Sequence, residues 1–186
     1  MKKTNIEQLL IHQHNEKYYD INLMQKDVTG GKISKEQIDN IKKYPQAKSV
    51  IVSGLYQETF EYFIDNYGKQ FEVITFWKNK NVKDLSKLSQ LSNVRMIVYF
   101  YNDKVTKLWD LSDNVNLQIL ELWNFKNLHS IEGIQKANKL EHFSIGAQAG
   151  GKMLIDTLKP LVNSNISYFG CYTVVGDNNY NILSKT

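Results

Sequence analysis

A pattern of apolar residues that returns at a fixed interval is the strongest constraint on the fold. Each copy begins with three apolar positions spaced as L-x-x-L-x-L, and in the first three copies three further apolar positions follow at intervals of three. Alternation with period two indicates a short strand, and the spacing by threes indicates a helical or 3₁₀ return segment. The four copies open at Phe71-x-x-Ile74-x-Phe76, Val94-x-x-Ile97-x-Tyr99, Leu117-x-x-Leu120-x-Leu122 and Leu140-x-x-Phe143-x-Ile145.

The pattern resembles the leucine-rich repeat family, L-x-x-L-x-L-x-x-N-x-L, over about residues 71–146. Asn79 and Asn102 fill the family's Asn position, whereas Phe125 and Gln148 replace it in the later copies. The resemblance implies an α/β fold, a right-handed leucine-rich-repeat solenoid with a parallel β-sheet on its concave face. Its return segments would be helical or 3₁₀, and its Asn side chains would hydrogen-bond the turns. About five to seven strands are expected, centred near Ile51, Ile74, Ile97, Leu120, Phe143 and Phe169.

The copies at the two ends keep the register less strictly. Ile51 lies one full period before Ile74 and predicts a further strand, and the spacing of apolar residues over 60–67 predicts a helix after it. The last copy, Ile166-x-x-Phe169-x-Cys171, begins three positions later than the period requires. Terminal repeats are expected to differ because they close the open ends of the core.

One compact domain with two parts is predicted. Residues 1–48 would form an N-terminal helical cap, and residues 49–186 the solenoid. A capping-box pattern at Thr4 opens a first short helix, and Ser34 with Gln37 opens a second.

Composition favours a soluble protein of the cytoplasm. The 23 Lys and Arg residues exceed the 19 Asp and Glu residues by only four and are spread along the chain, so nucleic acid is not expected as a partner. A single cysteine excludes an intramolecular disulfide. We see no secretory signal and no apolar run of membrane-spanning length, so no membrane association is expected.

No catalytic or metal site is predicted. His12 and His14 are two residues apart on a predicted helix and point in different directions, so they make a poor zinc pair. The carboxylates are scattered, and no acid–base pair stands out. Cys171 occupies an inward strand position aligned with Ile145, which favours a structural thiol. We therefore expect no enzyme activity and no cofactor.

One glycine-rich segment offers an alternative. Residues 146–152 match G-x-x-x-x-G-K after a strand, which is typical of a phosphate-binding loop. However, Met153 stands where such a loop needs Ser or Thr to hold Mg²⁺. A glycine-rich turn that absorbs the three-residue insertion is the favoured interpretation, and a nucleotide-binding protein is the alternative.

The most informative feature is a row of large aromatic residues on the outward face of the strands. The outward positions predict a site that binds a partner protein, because aromatic side chains dominate binding hot spots. The alternative is that the N-terminal cap or an irregular C-terminal segment packs on the row and makes it core. The predicted partner-binding residues are Trp77, Phe100, Trp123, Tyr101, Met96, Val98, Glu121, Ile119 and Tyr172.

The function expected from these features is protein–protein interaction without catalysis. The Lys/Asn/Ile-rich composition is typical of bacterial proteins, and a small bacterial binder could be an immunity protein that neutralises a toxin. A nucleotide-binding protein and a nucleic-acid-binding protein are the alternatives.

Overall fold

The computed structural model describes residues 5–12, 16–25, 31–148 and 152–185. It is a mixed α/β structure built on one parallel sheet, whose strands lie side by side in chain order. Numbered along the chain, they are β1 (Ile21–Leu23), β2 (Ser49–Ser53), β3 (Val73–Trp77), β4 (Met96–Asn102), β5 (Ile119–Phe125), β6 (His142–Gly146) and β8 (Tyr168–Tyr172). A separate parallel pair joins β7 (Leu154–Ile155) to β9 (Val174–Val175).

The sheet register follows the sequence period in the central strands. Val73 of β3 pairs with Met96, Met96 with Ile119, and Ile119 with His142, so each step equals one period of the sequence pattern. The step from β6 to β8 is longer by three positions, since His142 pairs with Tyr168. Each of the six predicted strand centres lies within a strand, and the predicted parallel sheet is confirmed.

The predicted alignment of Ile51 with Ile74 is wrong by one residue. Val50 pairs with Ile74, and Ile51 pairs with Thr75. Because neighbouring strand residues point to opposite faces, this shift moves Ile51 to the other side of the sheet. Val50 and Val52 then supply the side chains that β2 contributes to the main core.

The connections between strands are mostly short helical segments. The α-helices are α1 (Asn5–Leu10), α2 (Lys35–Ile38) and α3 (Gln57–Tyr67). Ser34 and Gln37 form the predicted capping box of α2. The helix predicted over 60–67 is α3, which buries Phe60, Phe63, Ile64 and Tyr67. The 3₁₀ segments are Glu16–Tyr18, Asp39–Lys43, Gly68–Gln70, Ser86–Gln90, Ile134–Lys136, Lys159–Asn163 and Asn181–Lys185.

The main core lies between the sheet and these return segments. Its centre is a run of aromatic rings along successive strands: the ring of Tyr99 lies 5.0 Å from that of Phe76 and 5.1 Å from that of Phe125. All three residues are fully buried. The Tyr99 hydroxyl donates a hydrogen bond of 2.9 Å to the carbonyl oxygen of Asn79, which satisfies the one polar atom of this side chain.

Buried asparagines hold the turns that follow the strands. The Asn79 side chain accepts a 2.8 Å hydrogen bond from the Leu55 amide and donates one of 3.1 Å to the carbonyl of Val52. Asn102 accepts from the amide of Val105 and donates to the carbonyl of Val82. Each side chain thus bonds one backbone amide and one backbone carbonyl, which requires an amide with both a donor and an acceptor.

Replacing Asn79 with alanine should lower the free energy of unfolding by about 2–3 kcal/mol, because two buried backbone groups lose their partners. Urea denaturation measures the change. Asn93→Ala is the matched control: the exposed Asn93 amide donates one bond to the carbonyl of Lys69, which solvent can replace. Equal losses for the two variants would contradict the structural role of Asn79.

Candidate functional site

The face of the sheet opposite the main core carries three rows of side chains. The first row contains Trp77, Phe100, Trp123, Gly146 and Tyr172, which pair in register from β3 to β8. The second row contains Thr75, Val98, Glu121, Ser144 and Gly170. The third row contains Val73, Met96, Ile119, His142 and Tyr168. The two ends of this face have different surroundings.

The N-terminal segment of the chain packs on the half of this face nearest to β3 and β4. Leu9 of α1 and Tyr19 join Val73 and the outward residues of β4 in a second apolar cluster, separate from the main core. Ile6 and Leu10 pack against the same cluster. Because Ile6, Leu9 and Leu10 are spaced three and four residues apart, they share the side of α1 that meets the sheet.

This packing overturns the interpretation of these residues as an open surface. Phe100 is 1% exposed, and Met96, Val98 and Ile119 are fully buried. The alternative interpretation, that the N-terminal cap packs on the row, holds for these four residues. They form part of a second core, whose apolar side chains Leu9 of α1 and Tyr19 help to cover.

Tyr19 anchors the covering segment to the middle row. Its hydroxyl hydrogen-bonds the Thr75 hydroxyl, and the residue is 9% exposed. Burial raises the pKa of the Tyr19 phenol to about 12, and the nearby carboxylate of Glu121 acts in the same direction. The neutral phenol is therefore the form that the folded protein accommodates.

Alkaline pH should weaken the fold through Tyr19. The unfolded chain loses this proton near pH 10 and the folded chain near pH 12, so the folded state binds more protons in between. Stability should then fall by up to about 1.4 kcal/mol per pH unit from this group. Denaturation between pH 9 and 12 should show a shallower loss for Tyr19→Phe than for the wild type. Tyr18→Phe, at a residue 38% exposed, should keep the wild-type slope; equal slopes for all three proteins would refute the assignment.

The half of the face nearest to β8 is open and aromatic. Tyr168 is 49% exposed, Tyr172 is 57% exposed, and Trp123 is partly buried. We call these three residues the C-terminal aromatic cluster. The rings of Trp123 and Tyr172 lie 5.4 Å apart across Gly146, which separates them in the register. A Cβ atom on Gly146 would clash with the Cβ atom of Tyr172, so only glycine leaves room for this tyrosine.

A hydrogen-bonded polar group lies beneath the cluster. Glu121 is 1% exposed, and its Oε2 accepts a 2.9 Å hydrogen bond from the indole N–H of Trp123. His142 Nε2 lies 3.3 Å from Oε1 of Glu121 and 3.1 Å from the hydroxyl of Ser144. The imidazole of His142 stacks on the Tyr168 ring at 4.3 Å. Two residues of the cluster, Trp123 and Tyr168, are therefore held by contacts with this polar group.

The polar group does not have the geometry of a nucleophilic triad. In such a triad one imidazole nitrogen bonds the hydroxyl and the other bonds the carboxylate. Here Nε2 of His142 faces both Ser144 and Glu121. Ser144 is also 4% exposed, which limits access of a substrate to its hydroxyl.

A second group of aromatics lies where β3 and β4 end. Trp77 and Tyr101 are partly buried, and their rings are 6.1 Å apart. The Lys78 ammonium lies 5.5 Å from the Trp77 ring and 5.8 Å from the Tyr101 ring. Lys78, Tyr101 and Asn124 occupy equivalent positions and share positive φ angles of 55°, 66° and 59°. Of the predicted binding residues, Trp77 and Tyr101 thus lie apart from Trp123 and Tyr172.

The predicted row thus divides into three environments. Among the predicted residues, the structure brings together Trp123, Tyr172 and Glu121, and Glu121 is buried beneath the two aromatic rings. The sequence prediction missed Tyr168 and His142 as site residues. The last repeat is three residues longer than the others, and applying that longer interval to His142 would have paired it with Tyr168. The sequence did not show that β8 is the edge strand of the sheet, where Tyr168 and Tyr172 stay exposed.

The remaining candidate groups are the cysteine, potential metal ligands and the glycine-rich segment. Cys171 packs against the main core at the position paired with Ile145, and burial raises the pKa of its thiol. No group of three or more potential metal ligands occurs in the described ranges. Within the same ranges no helix has the length and apolar character needed to cross a membrane. Of the segment 146–152, residues 149–151 lie outside the described residues.

Comparison of the chain with protein-family models, with curated proteins and with solved structures finds no match.

Proposed function

We propose that the chain is a small leucine-rich-repeat solenoid that binds a partner protein without catalysis. The binding surface is the C-terminal aromatic cluster of Trp123, Tyr168 and Tyr172. The support for the fold is the constant register through four consecutive parallel strands, together with the buried Asn79 and Asn102 at the family's Asn position.

The exposure of two tyrosines on a rigid sheet carries the functional proposal. Tyr168 and Tyr172 keep 49% and 57% of their surface open to solvent, although the same face is buried at its other end. Large aromatic side chains held in fixed positions lose little conformational entropy when they bind, and they are enriched in hot spots. Partly buried residues support both tyrosines: Trp123, which is hydrogen-bonded to Glu121, contacts Tyr172, and His142 stacks on Tyr168.

A non-enzymatic role agrees with the site chemistry. The imidazole of His142 uses one nitrogen for both neighbours, and the only thiol has a raised pKa. The narrower proposal is that the partner is a bacterial toxin, so that the chain serves as an immunity protein in the cytoplasm. Its basis is the size and composition of the chain.

The test is capture of the native partner from an extract of the source organism. The wild type and Tyr44→Ala should retain the same protein, because Tyr44, 51% exposed, lies outside the three rows. The double variant Tyr168→Ala/Tyr172→Ala should lose it while keeping the wild-type melting temperature. Retention of the partner by the folded double variant would refute the proposal.

A further inference from the structure

A cavity of about 750 Å³ lies at the carboxyl ends of β5, β6 and β8. It is separate from the aromatic cluster except for Tyr172, which lines both. Its volume is in the range of pockets that bury drug-sized ligands. The described residues that line it are Lys126, His129, Ala147, Lys152, Met153, Leu154, Cys171, Tyr172, Thr173 and Val174.

Part of the lining is apolar and exposed. Leu154 is 41% exposed and Val174 is 59% exposed, and the two residues pair in the small β7–β9 sheet. With Tyr172 they present three large apolar side chains beside one opening. Adjacent exposed apolar groups are unfavourable in water, so an occupant with an apolar side chain would gain by covering them.

The formal charges of the lining have one sign. Lys126 and Lys152 are the charged residues that line the cavity, and no described lining residue is acidic. Neither lysine forms an ion pair with a carboxylate of the described chain. The His129 ring is held in place because its Nδ1 lies 3.2 Å from the carbonyl oxygen of Leu154, to which it donates. An occupant with a negative charge would therefore gain attraction without breaking an existing pair.

We propose that this cavity binds an acidic peptide segment that carries a large apolar side chain. The apolar side chain would contact Leu154, Tyr172 and Val174, and carboxylates on either side would face Lys126 and Lys152. This inference rests on the proposed function, since the segment belongs to the partner protein that covers Tyr172. A peptide matches the site better than a compact ligand because the charges and the apolar groups lie side by side at one open surface.

Four labelled pentapeptides test both halves of the proposal by fluorescence anisotropy. They are acetyl-Glu-Glu-Phe-Glu-Glu-amide, its Gln analogue, its Lys analogue, and the acidic peptide with Ala in place of Phe. The acidic Phe peptide should bind about tenfold or more tightly than the Gln and Ala analogues, and the Lys analogue should not bind. Its affinity should fall as salt is raised. No detectable binding of the acidic Phe peptide at millimolar concentration would overturn the proposal, as would equal binding of the Gln analogue.

Two variants locate the binding. Lys126→Ala/Lys152→Ala should weaken the acidic Phe peptide about tenfold, and Val174→Asp should weaken it further by placing a carboxylate among the apolar groups. Lys136→Ala/Lys139→Ala, at exposed lysines outside the cavity, is the matched control and should leave the affinity unchanged. Equal loss in the control pair would mean unspecific attraction and would overturn the site. So would ATP binding that displaces the peptide, which would favour the nucleotide interpretation of residues 146–152.

The peptide assay does not use the native partner, so its outcome is separate from that of the proposed function. If Tyr168→Ala/Tyr172→Ala abolishes capture of the partner while the acidic peptide fails to bind, only the inference about this cavity is lost. If the double variant still captures the partner, the aromatic surface is refuted whatever the peptides do.

Discussion

Replacing Phe100 with alanine should lower the free energy of unfolding by about 3–5 kcal/mol, the usual cost of removing a buried aromatic ring. Phe100 is 1% exposed and lies in the cluster that the N-terminal segment covers. Its ring contacts that of Trp77 at 4.9 Å. Leu9 of α1 belongs to the same cluster, so the attachment of α1 should weaken as well.

Urea denaturation and hydrogen exchange measure the two effects. The amides of α1 should exchange faster in Phe100→Ala than in the wild type, because the segment loses part of the apolar surface that holds it. Tyr172→Ala is the control in the same row and should cost less than about 1 kcal/mol, because the ring is 57% exposed. If the two variants lost equal stability, the division of the face into a covered and an open half would be wrong.

The sheet could be predicted because the apolar spacing within each repeat is enough to indicate the register of its strand. Each strand repeats the same apolar spacing, so residues such as Ile74, Ile97 and Leu120 had to point to one common core. The same pattern placed Trp77, Phe100 and Trp123 in one outward row, as the structure shows. Periodicity gives the side of the sheet on which a residue lies, since that depends only on alternation along the strand.

Periodicity does not give what covers that side. Phe100 shares its buried cluster with Leu9 of α1 and with Tyr19, which lie far earlier in the chain and belong to no repeat. The apolar residues of α1, Leu9 and Leu10, indicate a helix with one apolar side but not the surface on which it rests. The shift of Ile51 has a similar origin, because the helix α3 between β2 and β3 replaces the shorter return segments and changes the spacing by one residue.

The acidic residue in the middle row illustrates a further limit. A glutamate between apolar neighbours on an outward strand position suggests a solvent-exposed rim. The structure instead buries Glu121 between Trp123 and His142, where the indole N–H donates a hydrogen bond to the carboxylate and Nε2 of His142 lies 3.3 Å from it. The partners come from the same strand and from the next one, and only their side-chain conformations decide between a rim and a floor.

Truncation of Tyr172 should weaken binding of the partner protein by about 2 kcal/mol, or roughly thirtyfold in Kd, as for other hot-spot aromatics. The free protein should melt near the wild-type temperature, because most of the ring contacts solvent before the partner arrives. Calorimetric titration with the captured partner, beside a thermal melt of each variant, separates the two quantities.

A variant of Trp123 tests which group of the cluster the partner recognises. Trp123→Phe keeps a ring beside Tyr172 but removes the N–H that bonds the buried carboxylate of Glu121. A buried carboxylate that loses a donor costs about 1–3 kcal/mol, so this variant should lose stability. Its affinity per folded molecule should fall less than that of Tyr172→Ala, because the aromatic contact with the partner remains. The opposite ranking, with Tyr172→Ala binding normally and Trp123→Phe binding poorly, would mean that the partner recognises the indole N–H or the carboxylate. Tyr172 would then not belong to the binding site.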